Sequence, residues 1–398
     1  MVFRIYKYWY PVRGTEPARK LNFDNQLIYN LKMADRLQLY AQRSYRSDTP
    51  GDSVRDIRVY NELNKIQAWR RVFSNLWDGE PFPYKGATYK TFVHAYQAEK
   101  FWWSGMPYKS IDFSLESGSK LSHADGFSAA REGRKTRIPP QDLRRWDQIN
   151  RGIKHKIYKA KYSMPLARKT LLATGNAELW NARTRCFRLE YFRALFRLEE
   201  LVKELAKDRD SSHDFAHSKK VVQNALEIFE NTIAPNHPLI RECGWLATWG
   251  IIEVSALLHD VNDHKYGDSH DLGAMIDTIL PKYRDLILQI VDNVSYSREV
   301  KRGLDDLGKF QVLRDIVSDA DKWEALGKEG IRRARVFHQA REPTLTEAQL
   351  DKHVLGHIDE KLLTLHQYCK TPYGRAQAEI LTEPIYAYKA LNLQNTNK

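Results

Sequence analysis

The feature that most constrains this chain is an abrupt change of chemistry at Leu258. The residues from Gly250 to Leu258 form an apolar run, and the next two are His259 and Asp260, followed by Val261-Asn262-Asp263-His264-Lys265. Apolar residues that end in His-Asp put two metal-competent side chains at the closed end of a buried helix. There they are poorly solvated and must find partners. The flanking sequence offers them. Upstream, Ser212-His213-Asp214-Phe215-Ala216-His217 opens a segment whose apolar residues Val221, Val222, Ala225, Leu226 and Ile228 recur at helical spacing. His213 and His217 are four apart and can share a helix face. Downstream, Ile316-Val317-Ser318-Asp319-Ala320-Asp321-Lys322-Trp323 again brings carboxylates out of an apolar helical pattern.

A histidine, a His-Asp pair and a later aspartate make a mixed nitrogen and oxygen donor set. Such a set suits a divalent ion (Mn, Mg, Co, Fe or Zn), with positions left open for water and a phosphate oxygen. An ion held there would activate water and neutralise charge on a phosphoryl group under attack.

The order His…His-Asp…Asp resembles the HD superfamily of metal-dependent phosphohydrolases. The wording "HDFAHSKKV", "LLHDVNDHKY" and "SDADKWEALGKEGIRRARVF" is similar to its bacterial nucleotide-hydrolysing branch. The resemblance implies His217, His259, Asp260 and Asp321 as ligands. The motif "Ala-Asp-Lys" favours Asp321, with Asp319 the nearby competitor. It sets Asp263, His264 and Lys265 beside the phosphate or the attacking water, so that Asp260, Asp263, His264 and Lys265 are the catalytic candidates. Lys220 stands where the family usually has arginine, which weakens a bidentate phosphate contact. Arg332, Arg333 and Arg335, in "GIRRARVF", are candidates to meet substrate phosphates. His213 reads as a helix-start residue, or one that supports a ligand from behind, rather than a ligand itself.

The net charge of +13 points to anionic partners, but the basic residues are spread along the whole chain rather than gathered in one run. Cys186, Cys243 and Cys369 are widely spaced and odd in number, which implies a reducing, cytoplasmic setting. The first residues lack a signal-peptide core, and the most apolar window, Gly244 to Leu258, is too short to span a bilayer and is interrupted by Glu253. No internal repeat, P-loop or dinucleotide-binding glycine fingerprint is present.

In chain order, Val2 to Val12 alternates and predicts a strand. A helix is expected from about Asn25 to Gln42. Ser44 to Ser53, with Asp48-Thr49-Pro50-Gly51-Asp52, reads as a surface insertion or a disordered loop. Tyr60 to Phe73 reads as helical. Pro81 to Tyr89 predicts two short strands, and Thr91 to Phe101 an aromatic helix with His94, Gln97 and Lys100 near one face. Aromatics with a few directed polar groups suit a flat heterocycle with its ribose or phosphate.

"SNLW…PFPYKGATYKTFVHAYQAEKF", "GRKTRIPP…W" and "LLATGNAELW" resemble the NADAR family, linked to NAD and ADP-ribose, over roughly Val72 to Leu201. That resemblance implies N-glycosidase chemistry and a pocket drawing on Asn75, His94, Gln97, Lys100, Arg134 and Trp146. Two departures weaken the glycosidase. Val93 replaces the glutamate that usually precedes "HAYQA", and valine cannot supply a glycosidase carboxylate. The family's glycine-rich closing segment is replaced by an arginine-bearing stretch, Asn181 to Arg193. Its arginines either clamp a phosphate or lie on a solvated helix face over inward Leu189, Phe192, Leu195 and Leu198. The dense basic stretch from Gly133 to Lys161 is equally open between a phosphate-binding wall and ordinary helix surface.

The expected organisation is an N-terminal extension (1–71), an α+β NADAR-like domain (72–207), an all-α HD-domain helical bundle (208–370) and a less patterned tail (371–398), predominantly helical overall. Within the third part, helices are expected at about Asp214–Ile233, Arg241–His259, Leu272–Leu280, Leu286–Ser295, Asp315–Gly327, Gly330–Gln339 and Thr346–Leu365. The activity read from this is metal-dependent hydrolysis of a phosphoester or phosphoanhydride in a nucleotide or ADP-ribose-like molecule. The alternatives are an N-glycosidase with an accessory HD domain, and a non-enzymatic binder of nucleic acid or ADP-ribose. No membrane partner is expected.

Overall fold

The computed structural model describes residues 34–39, 51–209, 213–262 and 269–396. The strand expected at Val2–Val12 and the residues Ser211, Ser212, Asp263, His264 and Lys265 lie outside them. The chain divides into two compact units, Met1–Arg193 and Ala194–Lys398, and no described helix is long and apolar enough to cross a membrane.

In the first unit, strands β1 (Arg36–Gln38), β2 (Phe82–Tyr84), β3 (Ala87–Tyr89), β4 (Glu178–Asn181) and β5 (Thr184–Arg185) accompany five longer helices. The helices are α1 (Phe92–Trp103), α2 (Gly126–Lys135), α3 (Pro140–Tyr162), α4 (Pro165–Ala173) and α5 (Phe187–Leu205), and the division between units falls within α5. β1 pairs in parallel with β4, β4 pairs antiparallel with β5, and β2 and β3 form a hairpin. The helix expected over Asn25–Gln42 is therefore corrected at its described part, where Arg36–Gln38 is a strand in register with Glu178–Trp180. Pairing with β4 and burial of Leu37 and Leu39 override the local helical pattern. The end of the expected insertion is also tied down. Asp52 accepts from the Gln38 backbone at 2.8 Å and pairs with Arg70, and Ser53 bridges to Arg36. Tyr60–Phe73 is broken by Ala68, which sits in the left-handed region at φ 52° between two short helical turns.

The aromatic helix α1 starts at the Thr91 cap, whose hydroxyl accepts from the His94 backbone. Its aromatics divide between the core and the surface, where Trp102 is exposed. Phe92 and Phe101 are packed with Phe82, Phe113, Trp146 and Ile157 in the core of the unit.

The basic stretch along α3 splits by depth. Arg134, Lys135, Arg137, Arg144 and Arg151 are exposed, whereas Lys161 is enclosed and donates to the Ser74 carbonyl at 2.7 Å. Burial lowers the Lys161 ammonium from its ordinary value to about 7. The Asn181–Arg193 arginines whose contacts are described make intramolecular bonds. Arg185 pairs with Glu178 and Glu190, and Arg193 is buried on Thr174 and the Ala177 carbonyl.

The second unit is helical throughout its described residues: α6 (Phe215–Thr232), α7 (Pro238–Cys243), α8 (Trp245–Leu258), α9 (Leu272–Asp277), α10 (Arg284–Asp292), α11 (Tyr296–Arg302), α12 (Gln311–Glu324), α13 (Gly327–Arg341), α14 (Glu347–His357) and α15 (Pro372–Thr396). Helix α6 packs against both α8 and α12, burying Val221, Val222, Ala225 and Ile228 against Ile251, Val254, Ile316 and Val317. The helix expected over Arg241–His259 is two helices, separated by Gly244 at φ 85°, a conformation that glycine alone adopts cheaply. The segment read as a less patterned tail is α15, which packs on α12 and α13 and buries Ala378, Thr382 and Ile385. Its apolar residues are spread around the helix rather than gathered in one stripe, and Pro384 lies inside it, so periodicity alone does not reveal it.

Lys161 sets a testable pH dependence. Between about pH 7 and 10.5 the unfolded chain holds this proton and the folded chain does not, so stability rises with pH across that window. The urea-unfolding midpoint should increase from pH 7 to pH 9 in the parent chain. Lys161→Met should flatten that slope, and equal slopes in the two proteins would refute the assignment.

Candidate metal centre

Three helices converge on the polar end of α8. At the start of α6, the Asp214 carboxylate caps the helix by accepting from the His217 backbone at 2.9 Å, which aims His217 inward. His259 ends α8, and its Nδ1 meets the Ala256 carbonyl at 2.8 Å. That contact sets the proton on Nδ1 and leaves Nε2 as the free lone pair. Asp260 follows on a turn held by Arg209, which donates to the Asp260 and Val261 carbonyls at 2.7 Å each. Asp321 enters from α12.

Their reactive atoms meet. His217 Nε2 lies 3.4 Å from an oxygen of Asp260 and 3.4 Å from one of Asp321. His259 Nε2 lies 3.3 and 3.6 Å from the same two carboxylates. The two imidazole centroids are 5.2 Å apart. Donor atoms of His217, His259 and Asp321 all fall within 4.8 Å of one another. The imidazoles are walled in, with side chains 3% and 1% exposed, while Asp260 and Asp321, at 20% and 28%, open onto a cavity.

This set fits a divalent cation. His259 Nε2 is buried and near two carboxylates, yet makes no aligned hydrogen bond to either. Burial opposes charge on both imidazoles, but Asp260 and Asp321 outweigh it, raising His217 and holding His259 well above the usual range. Burial likewise opposes ionisation of the two carboxylates, and the histidines override it and hold both well below the ordinary range. Two nitrogens and two carboxylates are thus poised around positive charge, which protons supply when no ion is present.

Asp319, the competitor, has a different task. Fully buried, it accepts from the Lys370 and Thr371 backbone amides at 2.8 Å each and from the Thr371 hydroxyl at 2.7 Å. It anchors the entry to α15, where Gly374 lies so close that a Cβ would overlap its oxygen.

The cavity beside the cluster has a volume of about 150 Å³, and its lining includes His213, Tyr296, Lys322, Arg333 and Lys361 along with the cluster. Of the proposed phosphate-binding residues, Arg333 alone among the described ones lines it. Lys220 is exposed, Arg332 pairs with Glu329 on the surface of α13, and Arg335 pairs with Glu347 and Asp351. Sequence reasoning assigned no role to Lys322, although it stands in the quoted Ala-Asp-Lys. Its ammonium is buried and pairs with Glu299 at 3.2 Å. Tyr296 and Lys361, 5.2 Å apart from ring to ammonium, carry no local signal, because only the tertiary fold brings them there. Asn262 and His270 bond reciprocally, at 2.8 and 2.9 Å.

Some of the residues proposed for a pocket in the first unit make internal bonds. His94 is buried between the Thr91 hydroxyl at 2.8 Å and the Leu121 carbonyl at 3.2 Å. Lys100 donates to the Gly133 and Thr136 carbonyls at 2.5 Å each. Gln97 lies against Gly133, Trp146 packs on Tyr96, and the Asn75 carbonyl accepts from Val93. Arg134 is exposed, and Val93 packs against the core.

No family model matches the chain. By sequence it is similar to YpgQ, an uncharacterized protein of Bacillus subtilis, with 26% identity over 185 residues that cover 45% of this chain and 82% of YpgQ. Among solved structures, the crystal structure of YpgQ in complex with ADP matches at 21% identity and a TM-score of 0.38, covering 52% of this chain and 96% of that one. An HD-superfamily hydrolase from Bacillus thuringiensis matches at 24% identity and a TM-score of 0.34, covering 52% and 98%.

Two measurements check this site. Cation binding at pH 7 should release protons from the His217–His259 pair, so that affinity falls as pH falls and the calorimetric heat varies with the buffer's ionisation enthalpy; a buffer-independent heat would contradict the pairing. Asp321→Asn should lose the ion with little change in folding. Asp319→Ala should cost about 3 kcal/mol of stability, because the buried Thr371 amide and hydroxyl and the part-buried Lys370 amide lose their acceptor. Comparing metal content with unfolding midpoints separates the two roles.

Proposed function

We propose that the second unit is a metal-dependent phosphohydrolase acting on a nucleotide or ADP-ribose-like substrate. One observation carries this reading: the buried imidazoles of His217 and His259 meet the part-exposed carboxylates of Asp260 and Asp321 beside a cavity whose further lining includes Lys322, Arg333 and Lys361. The four clustered side chains would hold the ion, which supplies Lewis acidity and neutralises phosphoryl charge. The protein's own groups supply the rest. Arg333 and Lys361 bind and orient the phosphate oxygens. Lys322, fixed by Glu299, keeps positive charge at the wall. His259 is held in one tautomer by the Ala256 carbonyl, so its orientation is set before substrate arrives. Asp263, His264 and Lys265 remain the candidates for moving a proton or holding negative charge beside the attacked phosphorus. YpgQ, the 26%-identical relative, has been crystallised with ADP, and a nucleoside diphosphate is the ligand class adopted from it.

For the first unit we retain a NADAR-like reading as a nucleotide or ADP-ribose binder, supported by the motifs quoted above. The N-glycosidase is not favoured, since Val93 offers no carboxylate.

The test is phosphate release from nucleoside di- and triphosphates and ADP-ribose with added Mn²⁺, Mg²⁺ or Co²⁺. Release should cease with a chelator and in Asp260→Ala. Arg333→Ala should raise KM about tenfold, the size of one lost charge-assisted contact. Chelator-resistant release of a free base would overturn the assignment and move the activity to the first unit.

A further inference from the structure

Away from the central cluster, three histidines gather where α13 packs on α14. His338 is on α13, and His353 and His357 are on α14. The His338 ring lies 5.4 Å from that of His353 and 5.9 Å from that of His357, centroid to centroid. The spacing of His353 and His357 is i,i+4, which puts both on one helix face. Two imidazoles that share an ion at about 2.1 Å stand roughly 5 Å apart. The central pair His217–His259 shows that separation at 5.2 Å.

We propose that His338, His353 and His357 form a second cation site, for a borderline transition-metal ion such as Zn²⁺, Ni²⁺ or Cu²⁺, that bridges α13 and α14. Three imidazoles without a carboxylate select such ions over Mg²⁺ or Ca²⁺, which prefer oxygen. His338 Nε2 is a buried nitrogen without a hydrogen-bond partner, as a lone pair reserved for an ion would be. Burial, together with His353, lowers His338, and burial with Lys361 and His338 lowers His357 to about 4, so both imidazoles are neutral and ligand-competent at physiological pH. His353 is exposed, and its ring would have to turn to bring a nitrogen toward those of His338 and His357.

The backbone beyond His357 supports a built feature rather than a chance cluster. α14 passes directly into a π-helical turn, Ile358–Leu362, a rare geometry often retained at functional positions. That turn carries Lys361 to the central cavity, and α13 carries Arg333 to it. An ion at the histidine trio would therefore fasten together the two helices that deliver these cations.

The experiment is equilibrium dialysis of the full chain against Ni²⁺, with paramagnetic broadening of histidine C2–H resonances as a second readout. The parent chain should bind two ions, and His353→Ala, a change at an exposed position, should bind one. In a chain whose central cluster is broken by Asp321→Asn, one ion should remain, and it should be lost on adding His353→Ala. Loss of all binding in Asp321→Asn, or an ion count unchanged by both His338→Ala and His353→Ala, would overturn the proposal. Because the trio is read in a chain without a working central cluster, its failure is distinguishable from failure of the phosphohydrolase reading.

Discussion

The second unit depends on one electrostatic bargain: two imidazoles and two carboxylates are withdrawn from water and face one another. An isolated ionised group of this kind would be strongly disfavoured at the end of an apolar helix. Four together, with opposite tendencies, satisfy each other across 3.3–3.6 Å, and their arrangement leaves positive charge as the missing element. The surrounding helices can be understood as the means of bringing those four side chains to one point. α8 is buried along nearly its whole length, so His259 and Asp260 emerge at a defined depth. α6 and α12 pack on it and on each other, and contribute one of the four side chains each.

Much of this cluster was legible in the sequence, because each of its four side chains lies at the end of, or within, a strong apolar pattern. His217 follows an aspartate cap, His259-Asp260 ends a continuous apolar run, and Asp321 breaks a helical stripe. What was not legible was everything that depends on non-local packing. Arg332, Arg333 and Arg335 look alike in a string, yet only Arg333 turns to the cavity, since its neighbours on the helix meet acidic partners first. Tyr296 and Lys361 have no motif at all. Asp319 and Asp321 were competitors in sequence because both sit in "SDAD", and only the fold separates them.

The first unit teaches the opposite lesson. Its motif was rich in aromatics and directed polar groups, which suggested an open pocket. In the fold, Phe92 and Phe101 lie in the core and Trp102 is exposed, while His94 and Lys100 bond backbone carbonyls. The strand at Arg36–Gln38 was hidden for a related reason. Its partner β4 lies some 140 positions further along the chain, and no local periodicity reports so distant a pairing.

Helix α12 deserves a last consideration as a keyed shaft. Within four consecutive residues it carries Asp319, Asp321 and Lys322, each with its own lock: the amides ahead of α15, the imidazoles, and Glu299. Apolar helices can slip or rotate against their neighbours at modest cost, since one aliphatic side chain replaces another. This one cannot. A single-residue insertion before Asp319 would turn every key by about 100° and leave three buried charges facing the wrong locks. The helix is thereby intolerant of the small deletions and insertions that bundles commonly absorb, and the phase of the chain is set by charge where most folds set it by shape.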